Sequence, residues 1–114
     1  MDGMKRCRRC TPVPEEVRRA ADLLERRWQL SILFAALSGA IRFNEFVGAV
    51  PGISSRMLAE RLRDLERAGL LQRTVLPSSP PIVEYRLTSS GRQLGPVIDA
   101  LRAYAASGRS GASD

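Results

Sequence analysis

The sequence of 114 residues contains no histidine and a single lysine, Lys5. The absence of histidine excludes Ser-His-Asp and Cys-His catalysis, histidine-ligated zinc and a histidine pH switch. The sequence also lacks a glycine-rich phosphate loop and an evident pair of catalytic carboxylates, so we do not expect an enzyme. We expect neither a cofactor nor a metal ion.

Long apolar runs are absent as well. The longest stretch without a charge, from Trp28 to Ile41, has 14 residues, fewer than the ~18 needed to cross a membrane. The two cysteines, Cys7 and Cys10, lack the spacing of a disulfide framework, which is typical of the reducing cytosol. We therefore expect a cytoplasmic, nucleoid-associated protein without a membrane partner.

Arginine is in excess. The net charge is +6, and 17 of the 18 basic residues are arginine. Guanidinium groups suit bidentate contacts with phosphate and guanine, which favours double-stranded DNA as a partner. A GC-rich genome would also enrich arginine without selection on binding, so composition alone leaves both explanations open.

The length fits one domain. We predict a flexible basic arm over residues 1–13, a folded domain over residues 14–106 and a disordered tail over residues 107–114. Along the chain, the pattern predicts helices over 14–26 and roughly 28–38, an extended segment over 40–43, helices over 45–50 and 55–68, strands over 71–76 and 82–88, and a last helix after Thr88.

Three residues predict where the helices begin and end. Asn44 and Ser54 are candidate N-caps, and Gly69 can end the helix that Ser54 begins. A proline-rich tip over residues 77–81 joins the two strands. The predicted fold class is mainly α with a small β-hairpin (α+β), in the element order of a winged helix-turn-helix.

The helix over 55–68 has two different faces. At about 100° per residue, Leu58, Leu62 and Leu65 form one apolar stripe. Because a recognition helix contacts bases from its N-terminal half, four outer residues are the candidates for base contacts: Arg56, Ala59, Glu60 and Arg63.

Ser54 and Ser55, at the start of the same helix, suit a phosphate oxygen. The alternative is an ordinary solvated helix, since Glu60 with Asp64 and Arg63 with Arg67 have the spacing of surface pairs.

An ordered series of short motifs runs through residues 20–104. It consists of Trp28, Ile41-Arg42-Phe43-Asn44-Glu45, Pro51-Gly52-Ile53-Ser54, Leu65-Glu66-Arg67-Ala68-Gly69-Leu70, Arg73-Thr74-Val75, Val83-Glu84-Tyr85 and Gly91-Arg92. Through these motifs the chain resembles the HxlR-type (DUF24) bacterial winged-helix regulators. The resemblance implies a homodimeric transcription regulator on a pseudo-palindromic operator, and we expect a repressor.

The resemblance also implies residues for each contact. Helices near both ends of the chain, roughly 14–26 and 90–105, would form the dimer with N- and C-terminal dimerisation helices. The candidate interface residues are Val17, Leu24, Leu94, Val97, Ile98 and Leu101. Packing of the last helix on its own domain is an equal alternative for its apolar stripe. Further candidate DNA contacts are Arg42 and, from the wing, Arg73 and Arg86.

The chain departs from the family at the position of a redox-sensing cysteine, which is Glu15 here. Cys7 and Cys10 lie instead in the arm among basic residues, which lower the pKa of a thiol. A redox pair responding to an oxidant, a small-molecule effector and two inert thiols all remain open. Zinc would need a second cysteine pair from the partner subunit.

Glu60 replaces a common glutamine of the family and adds a negative charge to the outer face. Mixed charges on this face leave a second function open, a winged-helix protein-interaction module without specific DNA binding.

Overall fold

The computed structural model describes residues 11–112, which form six helices and one two-stranded antiparallel sheet. The helices are α1 (Glu15–Leu24), α2 (Gln29–Leu37), α3 (Phe43–Ala49), α4 (Ser55–Arg67), α5 (Ser89–Arg92) and α6 (Gly95–Ala112), and the strands are β1 (Leu71–Leu76) and β2 (Ile82–Leu87). This mainly helical fold with one hairpin confirms the predicted class.

The start of α3 differs from the prediction. Asn44 does not cap this helix, because α3 begins at Phe43, two residues before the predicted start at residue 45. The N–H groups of Ile41 and Arg42 instead donate to Glu45 Oε1 at 2.8 and 3.0 Å. These two bonds, that from Ile41 foremost, lower the pKa of Glu45 because they stabilise its ionised form. Glu45 therefore holds the chain at the entry to the helix-turn-helix.

Helix α4 begins and ends close to the predicted residues. Ser54 Oγ accepts a hydrogen bond from the N–H of Met57 at 3.0 Å, which confirms the predicted N-cap. At the other end, Gly69 has a φ of +79°, a left-handed conformation that glycine adopts without strain. Helix α4 is thus fixed at both ends by local sequence.

The core lies between α2, α4 and the base of the hairpin. Its fully buried side chains include Ile32 and Leu33 from α2, Phe46 from α3 and Leu71 from β1. The uncharged stretch in the middle of the sequence therefore supplies the centre of the domain. The Phe46 and Tyr85 rings meet edge to face at 6.4 Å, which ties α3 to the hairpin.

The two strands pair from Leu71↔Leu87 to Leu76↔Ile82, leaving five residues at the tip. Glu84 is only 9% exposed, although a charged residue in a two-stranded hairpin usually faces solvent. The segment over 40–43 forms no strand, but Ile41 O accepts a hydrogen bond from the N–H of Tyr85 at 2.7 Å. This bond attaches the segment to the hairpin.

The predicted last helix is divided into α5 and α6. The break falls at Gln93 and Leu94, immediately before Gly95-Pro96. Proline lacks an N–H and is tolerated in the first turn of a helix, so α6 begins afresh there. Helix α6 continues past the predicted domain end at residue 106 and ends at Ala112. No helix in residues 11–112 is long and apolar enough to cross a membrane.

Candidate DNA-binding surface

Helix α4 separates its apolar and charged side chains as predicted. Leu58, Leu62 and Leu65 are fully buried against the core. On the opposite side, Arg56 is 91% exposed and Arg63 is also exposed. The helix is therefore held from behind by leucine packing and presents guanidinium groups outward.

The two outer arginines have different surroundings. Arg56 Nε lies 3.9 Å from Glu60 Oε2, one turn further along, a loose pair that is worth little at an exposed site. Arg63 forms no ion pair with any residue in the described range. Ala59 lies half-buried at the edge of this face. Of the two guanidinium groups, that of Arg63 is thus the less restrained by ion pairs within the described residues.

The start of α4 lies beside α3. Ser54 and Ser55 are both exposed. Ser54 Oγ is occupied as an acceptor by the Met57 N–H, but its hydroxyl proton remains able to donate to an anion. Arg42, just before α3, is exposed and forms no ion pair within residues 11–112.

The hairpin places its two arginines on opposite faces. Arg73 pairs across the strands with Tyr85, and Arg86 pairs with Gln72, so the period of two separates them. Arg86 Nε and Nη2 both lie 3.1 Å from Glu84 Oε1, whereas Arg73 is exposed without an ion pair in the described part of the chain. The structure thus leaves Arg73 as the less restrained wing cation.

The sequence did not predict the cluster of three guanidinium groups that surrounds Asp64 in the structure. Asp64 Oδ2 lies 3.2 Å from Arg26 Nη1 and also binds Arg61 Nη1, while Oδ1 lies 3.5 Å from Arg67 Nη1. The spacing of Arg61 and Arg67, three residues to either side of Asp64, was a usable signal. Arg26 lies 38 residues away, and no local pattern indicates that contact.

The predicted dimer residues divide into two groups. Ile98 is only 4% exposed and packs in the core of its own domain, while Leu24 and Leu94 are partly buried against that core. The exposed members are Val17, Val97 and Leu101.

Two aromatic residues near these positions were not predicted. Tyr104 is 74% exposed, one turn beyond Leu101 on α6. The exposed ring of Phe34 lies under the guanidinium of Arg102 at 5.4 Å. An apolar strip on α6 therefore remains uncovered in the single chain. Cys7 and Cys10, the predicted redox residues, lie outside the described residues.

The sequence matches the family model described as HxlR-like helix-turn-helix over residues 23–111. The HTH-type transcriptional regulator YvaP of Bacillus subtilis is 40% identical over 87 residues, which cover 76% of this chain and 81% of YvaP. The HTH-type transcriptional regulator YodB of the same organism is 41% identical over 86 residues, covering 75% and 77% of the two chains. The match spans 63%, 57% and 60% of the length of three further regulators.

Solved structures agree with these sequence matches. The redox regulator HypR in its reduced form superposes with a TM-score of 0.78 at 36% identity, over 82% of this chain and 93% of HypR. The reduced form of YodB from B. subtilis gives a TM-score of 0.73 at 37% identity, over 82% of this chain and 92% of that chain.

Proposed function

Because the chain belongs to the HxlR-like helix-turn-helix family of transcriptional regulators, which bind DNA and are not enzymes, we propose that it is a homodimeric repressor of a pseudo-palindromic operator. The observation that carries this proposal is the outer face of α4. There Arg56 and Arg63 are exposed on a helix whose opposite side is locked into the core. Such a face can enter the major groove without distortion of the domain.

Four side chains of α4 contact base edges in this proposal. Arg56 and Arg63 donate to O6 and N7 of guanine, and Glu60 accepts from N4 of cytosine. Ala59 contacts the methyl group of thymine. The unpaired state of Arg63 within the described residues supports its assignment as the principal base contact.

Phosphate contacts surround this helix. Ser54 and Ser55 lie at its N-terminus, where backbone N–H groups favour an anion. Arg42 lies beside them before α3, and Arg73 and Arg86 approach the duplex from the two faces of the wing. We also assign the arm over residues 1–13 to phosphates or to the minor groove, because four of its residues are basic.

Dimerisation uses the exposed apolar side chains near both ends of the described chain. Val17 on α1 and Val97 and Leu101 on α6 leave apolar surface in water, which a second copy would remove. Tyr104 extends the same strip. A two-fold dimer would place two α4 helices in successive major grooves, about 34 Å apart.

The structural similarity to HypR, which is named a redox regulator, favours an oxidant as the effector of this chain. Cys7 and Cys10 are the cysteines available for that response in this sequence. The arginines beside them in sequence would stabilise the thiolate, the form that reacts with oxidants. The comparison of DNA affinity with and without diamide, in the wild type and in a Cys7→Ser/Cys10→Ser variant, tests this part alone.

The main test is selection of bound fragments from genomic DNA, followed by titration of the selected operator. We expect nanomolar affinity with a steep salt dependence. Arg63→Ala should weaken operator binding by about 1–3 kcal/mol while random-sequence DNA is affected less. Arg18→Ala, an exposed arginine on α1, removes the same charge away from α4 and is the matched control.

Two outcomes would contradict the proposal. Unchanged operator affinity and footprints in both Arg56→Ala and Arg63→Ala would remove α4 as the base-contacting element. A wild-type protein that selects no sequence and shifts no DNA at low salt would instead favour the protein-interaction module.

A further inference from the structure

Asp64 is the most connected carboxylate in the described part of the chain. It binds Arg61 and Arg67 on its own helix and Arg26 from the segment between α1 and α2. Its side chain is only 20% exposed, and that of Arg61 is 14% exposed. The contact is therefore a partly buried cluster and not the solvated surface pair that its spacing suggested.

The segment that carries Arg26 is itself fixed against the helix-turn-helix. Trp28, two residues further on, adopts a φ of +78°. Its Cη2 lies 3.7 Å from the position that a Cβ would occupy at Gly52, in the turn before α4. The Arg26–Asp64 pair thus joins two parts of the molecule that are already packed together, and it restrains rotation of α4 about its axis.

The cluster also divides the arginines of α4 into two groups. Arg61 and Arg67 form ion pairs with Asp64, whereas Arg63 has no carboxylate among the described residues and Arg56 has only a loose one. On the wheel, Asp64 lies on one flank of the outer face. Its carboxylate lies between Arg67 and Arg61 and pairs with the arginines on that flank, while Arg56 and Arg63 point away from it.

Uncompensated cations beside the groove would raise the affinity for DNA of any sequence. Phosphate contacts attract every DNA sequence equally, and only contacts to base edges distinguish them. Arg26 and Arg67 are 57% and 71% exposed, so both could extend to phosphates if the carboxylate were absent.

We infer that Asp64 is a positioning residue that supports specificity: by holding Arg26, Arg61 and Arg67 through its carboxylate, it limits sequence-independent DNA affinity and fixes the orientation of α4 from which bases are contacted. This inference rests on the proposed function, because it takes α4 as the base-contacting helix. Asp64 itself contacts neither bases nor phosphates.

The test compares full-length wild type with Asp64→Asn, which keeps the shape of the side chain and removes its charge. Affinities for the selected operator and for a random duplex of equal length are measured from 50 to 400 mM KCl. Release of Arg26 and Arg67 should steepen the salt slope on the random duplex by about 2, at roughly 0.9 per phosphate. The ratio of operator to random affinity should fall about tenfold, because a displaced α4 loses the equivalent of one bidentate base contact, whereas phosphate contacts affect both duplexes alike.

Glu66→Gln is the matched control. Glu66 is an exposed acid on the same helix that takes part in no ion pair within the described residues, so its loss changes the net charge equally without opening the cluster. Asp64→Glu keeps the carboxylate and should restore the ratio. Equal salt slopes for Asp64→Asn and Glu66→Gln would overturn the inference, whereas a wild type without any operator preference would overturn the proposed function instead.

A second variant covers the case in which Asp64→Asn does not fold. Arg67→Gln removes a guanidinium that Asp64 already holds away from phosphates, so the salt slope on random DNA should stay within about 0.3 of the wild type. A slope shallower by about 0.9 would mean that Arg67 contacts a phosphate in the wild type, which contradicts its retention by Asp64.

Discussion

Substitution of Gly91 by alanine should destabilise the protein, although alanine normally favours a helix. Gly91 is buried in the first turn of α5. A methyl carbon built there would overlap the carbonyl oxygen of Leu70 and lie 2.9 Å from Leu87 Cδ2 and 3.2 Å from the carbonyl carbon of Leu70. The overlapping atom belongs to the backbone, which cannot rotate away as a side chain can.

The same carbonyl anchors the base of the wing. Leu70 O accepts a hydrogen bond from the N–H of Thr88 at 3.0 Å, and Thr88 Oγ1 donates to Gly69 O at 2.6 Å. Displacement of Leu70 would therefore disturb the junction between α4, the hairpin and α5. Gly91 is glycine because two backbones approach each other closely there, not because its dihedral angles require it.

The expected magnitude follows from three contributions. Overpacking costs about 1–3 kcal/mol, and a weakened Thr88–Leu70 hydrogen bond costs about 0.5–1.5 kcal/mol. The gain in helix propensity offsets at most about 1 kcal/mol. We expect a net loss of about 2 kcal/mol in the free energy of unfolding, or about 8 °C in Tm for a domain of this size.

The assay is urea denaturation followed by Trp28 fluorescence and circular dichroism, at one fixed protein concentration because a dimer unfolds in a concentration-dependent way. Gly48→Ala is the control, since Gly48 lies inside α3 and a methyl group there meets no atom within 4 Å. That variant should gain about 0.5–1 kcal/mol. If both variants shift stability in the same direction, the steric argument for Gly91 is wrong.

Three further predictions concern other contacts. Glu45→Gln should lower the free energy of unfolding most at neutral pH. The difference from the wild type should shrink as the pH falls below 4.5, the ordinary pKa of the carboxyl group, because a carboxylate whose pKa is lowered in the folded state loses its stabilising contribution on protonation. Urea denaturation midpoints between pH 3 and 7 measure this difference. Leu101→Lys should give a monomer in sedimentation equilibrium because it places a charge in the proposed apolar interface, whereas Ala103→Lys, on the other side of α6, should remain dimeric. Thr88→Val should cost about 1–3 kcal/mol, because it removes both the N-cap bond from Gly91 N at 3.0 Å and the hydroxyl bond to Gly69 O. A Thr88→Ser variant that is equally unstable would refute the role of the hydroxyl.

The sequence was most informative where local chemistry decides the structure. The leucine stripe and the caps at Ser54 and Gly69 predicted α4 to within one residue, because each depends on neighbours within one or two helical turns. The exposed arginines on its outer face follow from the same periodicity. The helix that carries the proposed function was therefore the most predictable element of the fold.

Prediction from sequence was weaker where two local arrangements of the same residues are possible. Asn44 is a good N-cap in isolation, but Glu45 satisfies two N–H groups at once from inside the helix, and α3 begins earlier as a result. Likewise, Glu84 has the spacing of a solvated strand residue, yet it is buried with Arg86 as its partner. Neither outcome is visible in residue type or spacing alone.

The apolar stripe of the last helix shows a limit of periodicity itself. Hydrophobic spacing indicates which residues avoid water but not which surface covers them, so two explanations of one stripe remained open. In the structure the stripe serves its own domain at Ile98 and leaves Val97 and Leu101 exposed. The division arises because Val97 and Leu101, four residues apart, share a side of α6 next to the one on which Ile98 enters the core. A helix can thus contribute to one core and still present apolar side chains to a second molecule, which is the arrangement that the proposed dimer requires.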